Sequence, residues 1–402
     1  MSEVELTHVT VGGLEVCLAT VPWARSFAAV LQVGSGCGAD PGGLAGLAHL
    51  CEHERIAHAA RLVPAAEVTV NGLTESGWTR FQCSADVTTW RSAVDRVLAM
   101  FDPGQLDNAG LAAETSAMLI EMERTGGRPA LRLGPLMAAA ALPGSDLARL
   151  GEASADTVHA IGHEDMKVFL DRHYRPGNAR LIVASPVPAD EIVTHLSAWD
   201  GPWRADDPLR ADDPLRADDP PGAVASPAVP ELDGTWVVTL AVSRPATSQG
   251  VAAAVAGKVT LDGDGLIERV SRRHGHRVTG AAVLHGGSHD LAVLSWGTAQ
   301  PSAAVLRDMR RLFDGDPEFS AGRERLERAR HLAAVTHSFE HQTMSGLAGQ
   351  LARWLNRTGP RPMSVDDFRS VPLRDIGESV AALLSAARLW HWDAGRPNPL
   401  EM

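Results

Sequence analysis

GLAHLCEHERIAH, residues 46–58, places three histidines and two glutamates within a short span. His49 and His53 stand four apart, so on a helix their imidazoles rise from one face. Glu52 lies between them in sequence, next to His53. A tetrahedral catalytic zinc needs three protein ligands and one open position for water, with a carboxylate near enough to take the water's proton. H-x-x-E-H is the inverted zinc-peptidase signature, and His49, Glu52 and His53 fit it. A solvated histidine face on an amphipathic helix produces the same pattern, so the stretch alone leaves both readings open. His58, about 140° further round the helix from His53, falls away from that face and reads as a packing or solvated residue.

A third ligand is offered downstream. In ETSAMLIE, residues 114–121, Glu114 and Glu121 are two helical turns apart and share a face. A helix packed across from His49 and His53 would supply Glu121 to the metal, leaving Glu114 to orient a ligand or bind substrate. Glu123 lies off that face. An acidic, solvated helix surface is the alternative.

Four blocks now stand in order: VGSGCGADPGGLAGLAHLCEH (33–53), NGLTESGWTRF (71–81), the E-x6-E helix, and FLDRHYRPGNARLIVAS (169–185). Together they resemble the insulinase/pitrilysin family of zinc metallopeptidases, and most of all its shorter two-domain members related to mitochondrial processing peptidase. Asn71, Thr74, Thr79 and Phe81 match the family's N-A-x-T-x-x-x-x-T-x-[YF] segment, and Tyr174, Pro176 and Asn178 its Y-x-P-x-N strand entry. The resemblance implies a single zinc ion held by His49, His53 and Glu121, with Glu52 as general base and Glu114 as the additional acidic residue of the catalytic set. It implies that Asn71 and Gly72 lie on an edge that binds an extended peptide by strand addition. The fold it implies is α+β: two homologous α/β-sandwich halves, each a mixed, mainly antiparallel sheet with helices packed on it, joined by a linker in a clamshell arrangement.

Two departures qualify the resemblance. After His53 the family usually continues through an F-x-G-T-like segment, whereas this chain reads ERIAHAARLVPAA (54–66). In the second half, GDGLIERVSRRHGHRVTGAAV (263–283) resembles the segment that carries a substrate-binding Arg and Tyr. The tyrosine position falls on Val278 and the arginine position on Ser271, with Arg272 and Arg273 out of register. The expectation is therefore the zinc-bearing subunit of a heterodimer, with a related partner subunit supplying the Arg/Tyr pair and closing a chamber over the peptide substrate. A dedicated leader- or precursor-processing peptidase of peptide natural-product biosynthesis is a narrower alternative. A non-catalytic scaffold subunit is the alternative of another class.

The clearest boundary is RADDPLRADDPLRADDPPG (204–222), a repeated Asp/Pro-rich unit without apolar periodicity, which reads as an extended, solvated linker. It divides the chain into a zinc-bearing domain at 1–203, a linker at 204–228 and a homologous non-zinc domain at 229–402. VELTHVTV and LEVCLATV read as paired strands around Gly12 and Gly13, SFAAVLQVGSG as a third strand, AEVTVNG and WTRFQCSA as another pair, and ARLIVAS as a buried strand, while helical periodicity marks TTWRSAVDRVLAMF and LAAETSAMLIEMER. The second half repeats the order: TWVVTLAVS, a helical GLIERVSRRHG, strands RVTGAAVLHGG and DLAVLSWGTA, then helices near 302–313, 318–340 and 343–357. An internal duplication is the economical reading.

The 402 residues carry a net charge of −12, which argues against a general affinity for nucleic acid or anionic membranes. No apolar run is long enough to span a bilayer and no secretory signal is visible at the start, so a cytoplasmic protein is expected. Cys17, Cys37, Cys51 and Cys83 lack CxxC spacing and read as thiols. HSFEH (337–341) repeats the inverted motif but has no matching E-x6-E helix after it, and reads as a decoy. HGGSHD (285–290) reads as a hairpin turn.

Overall fold

The computed structural model describes residues 4–104, 106–126, 129–199, 229–243, 250–285, 289–296, 302–340, 342–355 and 363–400. The Asp/Pro repeat and the 204–228 linker lie outside the described residues.

In chain order the first half runs β1 (Glu5–Val11), β2 (Leu14–Thr20), β3 (Ser26–Val33), α1 (Leu47–Leu62), β4 (Thr69–Thr74), β5 (Thr79–Asp86), α2 (Trp90–Leu98), α3 (Asn108–Gly126), α4 (Pro129–Ala141), α5 (Ala155–Ala160), α6 (His163–His173), β6 (Ala179–Ser185) and α7 (Ala189–Ser197). The second half runs β7 (Trp236–Ser243), α8 (Gly250–Leu261), α9 (Leu266–Arg273), β8 (Val278–His285), β9 (His289–Trp296), α10 (Ala303–Phe313), α11 (Arg323–Glu340), α12 (Met344–Leu355), α13 (Val365–Ser370), α14 (Leu373–Ser385), β10 (Ala387–Asp393) and β11 (Arg396–Pro399).

The first six strands form one mixed sheet in the order β1-β2-β6-β3-β5-β4, with only β2 and β6 parallel. Gly12 and Gly13, both at positive φ, turn the β1–β2 hairpin, as a two-residue loop that follows the strand twist requires. Along β3 the period of two sends Phe27, Ala29, Leu31 and Val33 into a core with Leu47, Leu50 and Cys51 of α1 and Val94 of α2. α1 is thereby laid against the sheet with its other side free for chemistry. The second sheet runs β11-β10-β7-β9-β8 and is antiparallel throughout. Both sheets carry packed helices, so the expected α+β class, with two mainly antiparallel sheets, holds.

The chain forms two compact units, and each draws on both halves. Of the described residues, the first comprises those within 4–124, 152–199 and 340–353; Ser345 at the start of α12 joins it through Ser84 Oγ at 2.7 Å and Gln82 Nε2 at 3.3 Å. The second comprises the described residues within 125–151, 229–339 and 354–400. There α4 of the first half packs Leu133, Leu136 and Met137 against Val237, Leu291, Val293, Trp390 and Trp392 of the second sheet.

Candidate metal centre

α1 begins where the chain leaves a Gly-rich turn. Gly46 sits at φ 101°, a left-handed conformation that a side chain would strain. The buried Asp40 carboxylate accepts the amides of Gly46 at 2.7 Å and Ala48 at 2.8 Å, satisfying two of the donors that open the helix. The charge also suits the positive end of the helix dipole.

One turn further on, His49 and His53 stand edge to face with ring centroids 5.0 Å apart. Glu121, on α3, brings a carboxylate oxygen to 3.4 Å from His53 Nε2 and 3.8 Å from His49 Nε2. Ligands about 2.1 Å from a tetrahedral zinc stand about 3.4 Å from one another, so this N₂O set suits zinc with a fourth position open. Glu114, two helical turns back on α3, lies 3.4 Å from His53 Nδ1. With Nδ1–H donated to that carboxylate, Nε2 keeps its lone pair toward Glu121, the carboxylate–histidine arrangement that orients a metal ligand. His49 is neutral at physiological pH: burial, then the neighbouring His53, lowers it to about 4 against the pull of Glu121. Among the described residues this is the one group of three His, Cys, Asp or Glu side chains arranged to hold a metal.

Glu52 is buried at 5% exposure. Its Oε2 accepts a hydrogen bond from Thr74 Oγ1 at 2.6 Å, and the carboxylate lies against Gly72 of β4. A Cβ at Gly72 would overlap Glu52 Oε1, so glycine is what admits the carboxylate there. Burial raises the Glu52 carboxyl to about 7, with the Thr74 hydrogen bond acting in the opposite direction. β4 is an outer strand of the first sheet, paired with β5 on one side and with no strand on the other among the described residues. Asn71 is exposed on this edge and Gly72 is half-buried beside Glu52.

No family model matches the sequence, and no curated protein matches it either. Solved structures do. An M16-like peptidase from Alicyclobacillus acidocaldarius superposes with a TM-score of 0.72 at 15% identity, covering 97% of this chain and 98% of that one. A protease from Helicobacter pylori gives 0.68 at 15% identity over 96% and 99%. An inactive M16 peptidase domain from Pseudomonas fluorescens gives 0.70 at 15% identity over 96% and 97%. The fold is that of the M16 peptidases. Because an inactive domain shares the M16 fold, activity has to be argued from side chains rather than topology.

The other sequence candidates fall away from the centre. His58 Nε2 donates to Asp102 Oδ1 at 2.9 Å, away from the histidine pair. In the second inverted motif, His337 is buried with Nε2 on the Met363 carbonyl at 2.8 Å. Glu340 accepts Gln350 Nε2 at 2.7 Å, and His341 lies outside the described residues. His285 pairs with Asp290 at 3.0 Å across the β8–β9 hairpin. Where the M16 resemblance puts a substrate arginine, Ser271 is fully buried, donating to the Ile267 carbonyl and accepting from Trp296 Nε1 at 2.8 Å. Arg272 is paired with Glu268 at 2.6 Å, and Arg273 lies over Phe319. Cys17, Cys51 and Cys83 are buried thiols.

The sequence reading missed Asp40 and the pair Glu54–Arg55. A signal for Asp40 existed in ADPGG just ahead of the helix, where Asp before a Gly-rich turn suits a cap. Nothing local marked Glu54 and Arg55, since adjacent charges on a helix ordinarily face water.

Proposed function

We propose that this protein is a zinc-dependent endopeptidase whose single ion is held by His49, His53 and Glu121. The observation that supports it most is the convergence of those three donors from α1 and α3, backed by Glu114 on His53 and by the buried Glu52 beside them. Zinc bound there supplies a Lewis acid that polarises a peptide carbonyl and acidifies water. Glu52 takes the proton from the attacking water and returns it to the leaving amine. Its hydrogen bond from Thr74 and its fit against Gly72 hold the carboxylate for that role. The free edge of β4, with Asn71 and Gly72, binds the substrate as an added strand.

The chain works as the zinc-bearing subunit of a pair of related subunits. Ser271 and Val278 stand where the resemblance puts the substrate-binding Arg and Tyr, and neither side chain can replace them. A partner supplies that pair. A scaffold role is the competing reading, favoured by the inactive M16 domain among the similar structures. Peptide digestion by the zinc-loaded protein, alone and with a related partner, tests the proposal. Glu52→Gln should retain zinc and lose about 10²-fold or more of the activity. Equal activity in both proteins would favour the scaffold.

A further inference from the structure

Two charged residues follow the second histidine directly, and both are buried: Glu54 and Arg55 are each 1% exposed. Arg55 grips Glu54 with two nitrogens, Nε to Oε2 and Nη2 to Oε1, the latter at 2.6 Å. Its remaining donors leave α1 altogether: Nη1 reaches the Asp102 carbonyl, and Nη2 also reaches the Gly104 carbonyl at 2.5 Å. Glu54 Oε1 accepts the Leu106 amide at 3.1 Å. One turn along α1, His58 bonds Asp102 Oδ1, which also accepts the Gly104 amide at 2.8 Å. Burial opposes the Asp102 charge, yet the His58 and Gly104 hydrogen bonds hold its carboxyl below the usual range. The loop lies so close that a Cβ on Gly104 would stand 2.9 Å from His58 Cε1.

Residues 102–104 and 106–107 precede α3. Asp107 caps the helix through the Gly110 amide at 2.8 Å and Leu111 bonds back to the Asp107 carbonyl. Glu121 stands about 20 Å along α3 from its first residue, so a tilt of about 5° at the start moves its carboxylate by about 1.7 Å. Glu121 is 57% exposed at its side chain. Its place opposite the histidines therefore follows from the course of α3, set by Met118 buried in the core, by Leu111, Leu119 and Met122 packed against that core, and by the contacts at the helix start.

A buried ion pair is weak evidence for stability, because desolvation offsets the Coulombic gain. What it does supply is direction: a planar guanidinium spends its donors on fixed acceptors, and lysine cannot reproduce that fork. We propose that Glu54 and Arg55, with His58 and Asp102, form a positioning clamp that ties the histidine helix to the start of the glutamate helix and so sets Glu121 at ligand distance. The inference rests on the zinc reading proposed above. Glu54 and Arg55 act through the loop and touch neither metal nor substrate.

The test is zinc affinity, read by competition with a chromogenic chelator, for wild type, Arg55→Lys, Glu121→Gln and the double variant. Arg55→Lys should weaken zinc binding tenfold or more in the wild-type background. It should change it less than twofold in Glu121→Gln, whose two histidines bind weakly however α3 lies. Unchanged affinity in Arg55→Lys, or an equal loss in both backgrounds, overturns the clamp and leaves a purely structural pair, which would lower the melting temperature alone. If circular dichroism shows Arg55→Lys to be unfolded, Asp102→Asn decides: a threefold loss confined to the Glu121 background supports the clamp, and no loss overturns it. Wild-type protein that binds no zinc overturns the metal reading and the clamp with it.

Discussion

Thr74 Oγ1 donates to Glu52 Oε2 at 2.6 Å, joining the histidine helix to the outer strand of the first sheet. The bond fixes a carboxylate between α1, which carries the two histidines, and β4. Because Glu52 is buried, its position depends on what surrounds it, and Gly72 leaves the room its carboxylate occupies.

Gly72→Ala should therefore impair catalysis without removing a ligand. The new methyl overlaps Glu52 Oε1 and forces the carboxylate or the strand to move, at roughly 1–3 kcal/mol of stability. Peptide hydrolysis should fall at least tenfold, while zinc content measured by atomic emission stays at the wild-type value.

The charge of Glu52 gives a pH dependence in the metal-free protein. Its carboxyl titrates near 7 when folded, against an ordinary 4.5. Between these values the folded state holds the proton more tightly, so this contribution to stability is complete below 4.5 and is lost as pH rises through 7. The loss is on the order of 3 kcal/mol at most. Metal-free Glu52→Gln should consequently melt higher than metal-free wild type at pH 8, and the gap should close toward pH 5.

Asp40→Ala removes the acceptor for two amides at the head of α1. A cost of about 1–3 kcal/mol in chemical denaturation is expected, since Gly46 and Ala48 are left with buried, unpaired donors. Asp40→Asn, which keeps one oxygen, should recover part of it.

The centre was legible in the sequence because helical periodicity is local. His49 and His53 share a face by their spacing, as do Glu114 and Glu121, and α1 and α3 bring the two faces together. Strands were legible for the same reason where buried and part-exposed residues alternate, as in β5, and from a short continuous apolar run in β3. What periodicity could not carry is which distant segment covers which face. The apolar stretch at 129–141 joins the second sheet and Ser345 the first, pairings decided by buried area between residues far apart in the chain. The hairpin β10–β11 was not anticipated either: β11, RPNP, is short and carries two prolines, and β10 is held by Trp390 and Trp392, whose indole N–H groups reach Thr239 Oγ1 and the Val229 carbonyl. Glu54 and Arg55 mislead for a related reason, since their partners are Asp102, Gly104 and Leu106 and only folding brings those within reach.

The central claim is that His49, His53 and Glu121 together hold one zinc ion. Isothermal titration of zinc into metal-free wild type, His49→Ala and Glu121→Gln tests it most directly. One tight site per chain in wild type, weakened at least a hundredfold in both variants that remain folded, is the predicted result. Absence of a tight site in wild type, or undiminished binding in both folded variants, would contradict it.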